Sequence, residues 1–318
     1  MNMKKLGLTA LASSLVVTSA VAGEMSVAGS ASVGVKNTSK TASGKSWTMG
    51  NQLTFSGSGE LDNGMNVSLS FVLDQADDST TGLANSPFDS HSVTISSDSL
   101  GTLVFSGEGG SSAQSAIDTT AAGDAWNNGS GITAIRSSEA GNNSMMYTLP
   151  SLMDDLTIKG SYSPGGAGGP SATAWAVGYT GVEGLSVDYG QGETNTVGSE
   201  QDHTTMKVSY AYGSFTLGYS NTESAFDLDS AGLDEEITSW NLAYTVSDDL
   251  SVNYGTETIE TEDAAIDEEV DTFGVSYTSG GVTISANQYN ASSVGNSNTE
   301  AAATGDKERW ALSASFAF

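Results

Sequence analysis

The residue types that carry most enzyme chemistry are scarce in this chain of 318 residues. Cysteine is absent, and histidine occurs only at His91 and His203. Without cysteine there is no disulfide framework, thiolate nucleophile or cysteine-ligated metal, and two isolated histidines form neither a catalytic triad nor a histidine-rich metal site. The acidic pairs Asp154-Asp155 and Asp248-Asp249 lie in predicted turns, where aspartate is an ordinary residue. We therefore expect no enzymatic activity and no cofactor.

Charge is distributed very unevenly between the two signs. The chain has 10 Lys and Arg residues against 38 Asp and Glu residues, which gives a formal net charge of -28. Nucleic-acid binding depends on clusters of Lys and Arg that neutralise phosphates. This composition therefore argues strongly against nucleic acid as a partner.

The first residues predict an export signal. Lys4 and Lys5 give a basic start, residues 6–21 form a short apolar run, and Ala20-Val21-Ala22 matches the small-x-small pattern of a cleavage site. We expect residues 1–22 to be a cleaved signal peptide and residues 23–318 to form one domain. Cleavage would remove two lysines and no acid, so the net charge of the mature chain would be -30.

The rest of the chain alternates between apolar and polar residues with a period of two, which is typical of strands with one apolar face. The last strand is the clearest, because Trp310, Leu312, Ala314, Phe316 and Phe318 alternate with Arg309, Ala311, Ser313, Ser315 and Ala317. Seven hairpins with short turns, such as the turn at Asp62-Asn63-Gly64, add to a first and a last strand. The pattern predicts about sixteen antiparallel strands, joined by connections that alternate strictly between short and long.

Aromatic residues favour a membrane barrel over a soluble all-β protein with an aromatic core. Tyr147, Tyr179, Tyr212, Tyr244 and Tyr277 each lie on the apolar face, a few residues before a short turn. Tyrosine at a membrane interface keeps its ring in lipid and its hydroxyl in water. An even number of strands lets the first and last strands pair, so that no backbone group is left unpaired in hydrocarbon. We therefore predict an all-β fold, a transmembrane antiparallel up-and-down β-barrel.

Four stretches resemble the general bacterial porin family of Gram-negative outer membranes. They are residues 55–71 (FSGSGELDNGMNVSLSF), residues 95–107 (ISSDSLGTLVFSG), residues 142–162 (NNSMMYTLPSLMDDLTIKGSY) and the last strand, which ends at Phe318. The resemblance implies a homotrimer in outer-membrane lipid and lipopolysaccharide, a passive diffusion channel for small hydrophilic solutes and ions, and an assembly signal at Phe318. It also implies a constriction loop, folded into each pore, between Gly107 and Asn142.

The chain departs from the family pattern at the constriction. Gly107-Glu108 stands where the family commonly has Gly-Arg, and the usual tip sequence of the loop is reduced to Gly123-Asp124-Ala125-Trp126. The resemblance therefore supports the channel architecture but leaves open which residues form the constriction.

Alternation sorts the basic residues onto one face of the predicted strands. Lys36, Lys159, Lys207 and Arg309 face the lumen, as does Arg136 if the sixth strand extends that far, while Glu108, Asp118, Asp124 and Glu139 are the candidate acids of the infolded loop. One interpretation is a basic patch that faces the loop acids across the constriction. The other is that any barrel must keep charges away from lipid. With so few bases, we expect a mildly cation-selective channel.

Two acidic runs, from Asp227 to Glu236 and from Glu257 to Asp271, have two interpretations. They are either solvated external loops, which we favour, or weak Ca²⁺ sites that bridge to lipopolysaccharide. Two other classes of protein remain as alternatives. A secreted or surface all-β structural or adhesive protein would share the export signal and the alternation, and a barrel enzyme such as a protease would need acids and histidines clustered at its rim.

Overall fold

A computed structural model describes residues 25–38, 45–74, 88–128, 132, 134, 137–138, 142–165, 170–196, 198–228, 234–295 and 306–318. The predicted signal peptide, residues 1–22, lies outside these residues. The strands are β1 (Met25–Thr38), β2 (Lys45–Glu60), β3 (Asn66–Asp74), β4 (Phe88–Ser97), β5 (Gly101–Glu108), β6 (Ser144–Thr148), β7 (Leu156–Ser163), β8 (Ser171–Val182), β9 (Leu185–Thr196), β10 (Ser199–Tyr212), β11 (Phe215–Phe226), β12 (Glu235–Ser247), β13 (Leu250–Thr261), β14 (Glu268–Ser279), β15 (Val282–Ser292) and β16 (Lys307–Ala317).

The sixteen strands form one closed barrel in which each strand pairs with its neighbours in the chain and β16 pairs with β1. Closure extends to the last residue, because Gly29 N donates to Phe318 O at 2.7 Å and Phe318 N donates to Gly29 O at 3.0 Å. The prediction of an antiparallel sixteen-stranded barrel is thus confirmed. Among the described residues, no helix is long and apolar enough to cross a membrane.

The turn predicted at residues 62–64 shows how the sequence sets the hairpins. Gly64 has a φ of 79°, a left-handed conformation that glycine adopts without strain. Its N–H donates to Leu61 O at 2.8 Å, and Met65 N donates to Asn63 Oδ1 at 3.1 Å. The turn fixes the register of β2 against β3, so that Phe55 lies opposite Phe71 and their rings stack 4.7 Å apart.

Two predictions about the connections are wrong. The alternation of short and long connections is not strict, because β9 and β10 are joined by residues 197 and 198 alone. The polar residues of this hairpin were expected to form a long loop, but they continue the strands. For the same reason, Glu257 to Thr261 belong to β13 and Glu268 to Asp271 belong to β14, so the second acidic run is loop only from residue 262 to 267. Backbone pairing extended the strands further than side-chain polarity suggested.

Candidate functional site in the lumen

We call the segment between β5 and β6, residues 109–143, the inner loop. Its described part, residues 109–128, 132, 134, 137–138 and 142–143, lies inside the barrel, as predicted. Ala113 N donates to Ser161 Oγ of β7 at 2.8 Å, and Gln114 Nε2 donates to Thr205 Oγ1 of β10 at 2.9 Å. Further along, Ala121 N donates to Ser220 Oγ of β11 at 2.8 Å, and Ala122 N donates to Ser239 Oγ of β12 at 3.0 Å. These hydrogen bonds of the inner loop therefore run along the inner face of β7 to β12.

The barrel wall under the inner loop carries small residues, because the loop backbone comes close to it. Ala174 and Ala176 of β8 are buried against Ala113, with Ile117 packed beside them. On β9, a Cβ at Gly190 would lie 2.9 Å from the Ile117 side chain. A larger residue at Gly190 would push the loop away from the wall. The sequence of the wall thus determines how closely the loop approaches it.

Glu257 of β13 anchors the tip of the inner loop. Its carboxylate accepts hydrogen bonds from the Thr120 hydroxyl, from Ala125 N at 3.0 Å and from Trp126 N at 2.7 Å. The last two groups open a short 3-10 turn (Ala125–Asn127), and the first N–H groups of such a turn have no partner within it. The Glu257 side chain is fully buried. An acid on the barrel wall therefore supplies the acceptors that the loop tip lacks.

Hydrophobic contacts support the same anchor. Ala125, Trp126 and Ile132 of the loop form one buried cluster with residues of the barrel wall, which are Ile237, Ile259, Val270 and Ala291. Glu257 was missed from the sequence because the acidic run that contains it was predicted to be an external loop. The signal was available, since continuing the alternation of Leu250, Val252 and Tyr254 puts Glu257 and Ile259 on the inner face.

The loop acids predicted from the sequence differ in their surroundings. Asp118 is 4% exposed and accepts a hydrogen bond from the Ser137 hydroxyl, so its carboxylate lies within the loop. Asp124 is half-buried, and its Oδ1 accepts a hydrogen bond from Thr120 N at 3.0 Å. Glu108 is exposed at the end of β5. Arg136 and Glu139 lie outside the described residues.

Two of the predicted basic residues lie on the wall that the inner loop covers. Lys207 of β10 donates from Nζ to Thr119 O of the loop at 2.6 Å. Lys159 of β7 lines a cavity of about 150 Å³ together with Ile117 and Asp188. Lys207 thus supports the loop backbone, and Lys159 lies beside the loop.

The other two lie at the external ends of the strands that close the barrel. Lys36 of β1 and Arg309 of β16 are diagonal neighbours, since Lys36 pairs with Ala311 and Thr38 pairs with Arg309. The Arg309 guanidinium lies 5.9 Å from the centroid of the Tyr289 ring, which packs against the cluster around Trp126. Lys307 shares the inward register of Arg309. The four predicted bases thus form two separate groups, and their role in the channel stays a prediction.

Opposite the inner loop, the wall of β2 to β5 is lined by hydroxyl groups. Between the strand ends, the inward positions follow from the pairing of these strands with one another and with β1. We call the inward Ser and Thr residues the hydroxyl wall: Thr48, Thr54, Ser56, Ser58, Ser68, Ser70, Ser92, Thr94, Ser96, Thr102 and Ser106. The remaining inward positions of the same stretches are Gly50, Gln52, Asn66, Val72 and Val104, all uncharged.

The outer face carries two sets of aromatic residues. The five tyrosines predicted from the sequence are all exposed and lie close to the short turns. A second set lies further along the strands, where Trp175 packs against Tyr189 at 5.6 Å and Trp240 packs against Tyr254 at 5.5 Å. This second set was not predicted from the sequence.

Beyond the second aromatic set, the outer face of β9 to β14 becomes acidic. Glu193, Glu200 and Asp202 bring carboxylate oxygens within 4.8 Å of one another. A cavity of about 410 Å³ is lined by Glu223, Asp234 and other acids of β11 to β13 and the loop that follows. Weak binding of Ca²⁺ at the acidic external segments stays a prediction.

Among the described residues, neither histidine has the neighbours of a catalytic arrangement. His203 is 1% exposed on the inner face of β10, and its Nδ1 lies 2.9 Å from Ser224 Oγ. Its Nε2 has no hydrogen-bond partner among the described residues. His91 lies on β4, beside a bulge in the pairing with β5. A buried histidine with one hydroxyl neighbour lacks the base–orienter pair of a nucleophilic site.

A closed antiparallel barrel, apolar and aromatic outside and polar inside, defines the class of β-barrel membrane proteins. The chain belongs to the Gram-negative porin family, whose family model matches residues 7–278. Comparison with curated proteins finds no match.

Several solved structures have a similar fold. A loop-deletion mutant of OmpT, an outer membrane protein of Vibrio cholerae, is 15% identical with a TM-score of 0.71. An anion-selective porin from Comamonas acidovorans is 16% identical with a TM-score of 0.67, and a mutant of the Rh. blastica porin is 14% identical with a TM-score of 0.67. Each comparison covers 93% of this chain and 100% of the other. At these identities the likeness concerns the fold.

Proposed function

We propose that this porin forms a water-filled channel through which small hydrophilic solutes and ions diffuse passively across the outer membrane. The observation that carries the proposal is the sidedness of the barrel. The hydroxyl wall faces the lumen, while the same strands present residues such as Leu53, Phe55 and Leu69 outward. A polar lumen narrowed by an internal loop supports diffusion and sets a size limit. The proposal includes no bond chemistry and no enzymatic role.

The outer face supports a position in the outer membrane, in contact with lipid and lipopolysaccharide. Tyr212 and Tyr277 lie near the short turns and are 75% and 44% exposed, respectively, which suits residues at a membrane interface. Export through a signal peptide at residues 1–22 is part of the same proposal. So is the assembly role of Phe318, which is supported by its two backbone hydrogen bonds to Gly29 at the barrel seam.

The charge of the chain supports a mild preference for cations. The formal net charge is -28, and exposed acids occur at strand ends and in loops. A charged mouth raises the local concentration of ions of opposite sign. Because these acids are exposed, we expect salt to screen the preference.

A homotrimer is the proposed assembly, supported by the outer face of β1 and β2. The outward residues of β1 remain apolar from Met25 to Val35, about 33 Å along the strand. On β2, Trp47 and Met49 are 78% and 81% exposed. On β11, the outward apolar run covers only Phe215 to Tyr219, about 13 Å, before Asn221 and Glu223. The taller apolar face suits contact with a second copy of the chain.

The test combines electrophoresis with bilayer measurements. The purified protein should migrate differently before and after boiling, because a closed barrel resists detergent until it is heated. It should then produce stepwise conductance in planar bilayers and make liposomes permeable to small sugars. Heat-unfolded protein is the control. A protein that stays in solution without detergent and leaves liposomes sealed would contradict the proposal and favour the surface or adhesive alternative.

A further inference from the structure

In the part of the chain that the structure describes, both sides of the passage beside the inner loop carry few charges. On the loop side, Ala113, Gln114 and Trp126 are buried against β8, β10 and β12 to β15, so the loop presents its exposed residues to the remaining lumen. The exposed residues of the described part of the loop include Ser111, Ala116, Thr119, Gly123 and Asn127. The carboxylate of Asp118 is buried within the loop. Asp124 is thus the one charged side chain in the described part of the loop that is not fully buried, and its Oδ1 is engaged by Thr120 N at 3.0 Å.

The opposite side is the hydroxyl wall. The acids Glu60 and Asp74 share its inward register, but each is the last residue of its strand. The inward bases Lys36, Lys307 and Arg309 lie on β1 and β16, at one edge of the wall. A solute that moves along β2 to β5 therefore meets mainly hydroxyl groups between the strand ends.

The wall also contains a depression of the right chemistry for a sugar-like solute. A cavity of about 350 Å³ lies on β1 to β3 and is lined by the four serines Ser26, Ser56, Ser58 and Ser68 together with Met25 and Gly57. Register places all four serines on the inner face. Each serine hydroxyl donates one hydrogen bond and accepts two, so a cluster of serines can replace the water around either a donor or an acceptor.

We propose that the hydroxyl wall is the solute route and that it favours neutral, hydroxyl-rich solutes, with the serine depression on β1 to β3 as a weak binding subsite. The inference rests on the proposed channel function and names its solute class. Hydroxyl groups of the solute exchange water for serine and threonine at little cost. A charged solute of equal size loses part of its hydration there without meeting an opposite charge.

The first experiment compares three solutes built on one scaffold. Proteoliposomes are loaded with labelled glucose, glucosamine or gluconate in 1 M KCl, where long-range fields are screened. We expect glucose to leave about threefold faster than either charged solute. Equal rates for all three would overturn the preference for neutral solutes. Bilayer conductance in KCl is measured on the same protein, so a channel without this preference is distinguished from a protein that forms no channel.

The second experiment tests the route. Ser68→Asp places a charge in the serine depression, and Ser68→Asn is the matched neutral control. We expect Ser68→Asp to make glucosamine leave about threefold faster relative to gluconate at 1 M KCl, because the new charge lies on the route. Ser68→Asn should keep the wild-type ratio. Heat-modifiable migration confirms that both variants are folded. If folded Ser68→Asp leaves the ratio unchanged, solutes do not pass along this wall.

Discussion

The wall under the inner loop and the wall opposite it differ on both faces. Under the loop, β7 to β15 present small residues and buried polar groups inward, with Glu257 as the anchor, and β9 to β14 present a short apolar run followed by acids outward. Opposite the loop, β2 to β5 present the hydroxyl wall inward, and the neighbouring β1 presents a tall apolar face outward. One half of the barrel thus holds the loop, while the other half leaves space for solutes.

The difference shows that one strand pattern can serve two purposes. Both walls alternate with a period of two, so the same rule produces them. What separates them is the size and polarity of the inward residues. Glycine and alanine at Gly190, Ala174 and Ala176 let the loop approach, whereas serine and threonine on β2 to β5 remain open to the lumen.

The largest expected effect comes from releasing the loop from its wall with Glu257→Ala. The substitution leaves Ala125 N and Trp126 N without their acceptor, and each buried donor left unpaired costs about 1–3 kcal/mol. The loop tip should detach, so single-channel conductance should rise and fluctuate between levels. Planar bilayer recordings measure both properties.

Glu260→Ala is the matched control for this prediction. Glu260 is exposed on the same strand and has the outward register, opposite Glu236. Its removal should leave conductance unchanged. If Glu257→Ala conducts like the wild type with a steady current, the tip is held by the hydrophobic cluster around Trp126 and the carboxylate is dispensable.

The architecture could be predicted from the sequence, but the contacts that hold the loop could not. Alternation and turn residues such as Asn63-Gly64 act locally, so the strand number follows from the chain alone. Glu257 and Thr120 are 137 residues apart, and a contact of that kind depends on the closed barrel. The ends of β9 and β10 were predicted to be a loop because their side chains are polar. These strands extend beyond the apolar band into solvent, where polar side chains occur in strands and loops alike. Side-chain polarity therefore could not show where the backbone pairing of two strands ends.

An intermediate effect is expected from charges placed on the two outer faces. Val33→Arg lies on the apolar face of β1, and Leu217→Arg lies on the short apolar run of β11. If β1 contacts a second copy, Val33→Arg should split the assembly into monomers, because it buries an unpaired charge at each contact. Leu217→Arg should preserve the assembly but lower barrel stability by about 2–4 kcal/mol if the residue lies near the midplane.

Native electrophoresis in mild detergent and urea unfolding in lipid vesicles distinguish the two variants. Dissociation by Leu217→Arg, with Val33→Arg intact, would reverse the assignment and place the contact between copies on the acidic side of the barrel.

The smallest expected effect concerns single acids on the inner and outer faces. Asp74 ends β3 with an inward register, opposite Gln52, whereas Glu193 has the outward register on β9. Asp74→Asn should lower the preference for K⁺ over Cl⁻ by less than about twofold, because this half-buried charge at the strand end interacts with passing ions largely through water. The shift should be visible at 0.1 M salt, where fields extend about 10 Å, and should vanish at 1 M, where they extend about 3 Å. Reversal potentials under a salt gradient measure this shift.

Glu193→Gln should leave the reversal potential unchanged at both concentrations, because the barrel wall separates its carboxylate from the lumen. An equal shift for both variants would mean that the preference arises from the overall charge of the protein and that the inner face has no special part in it.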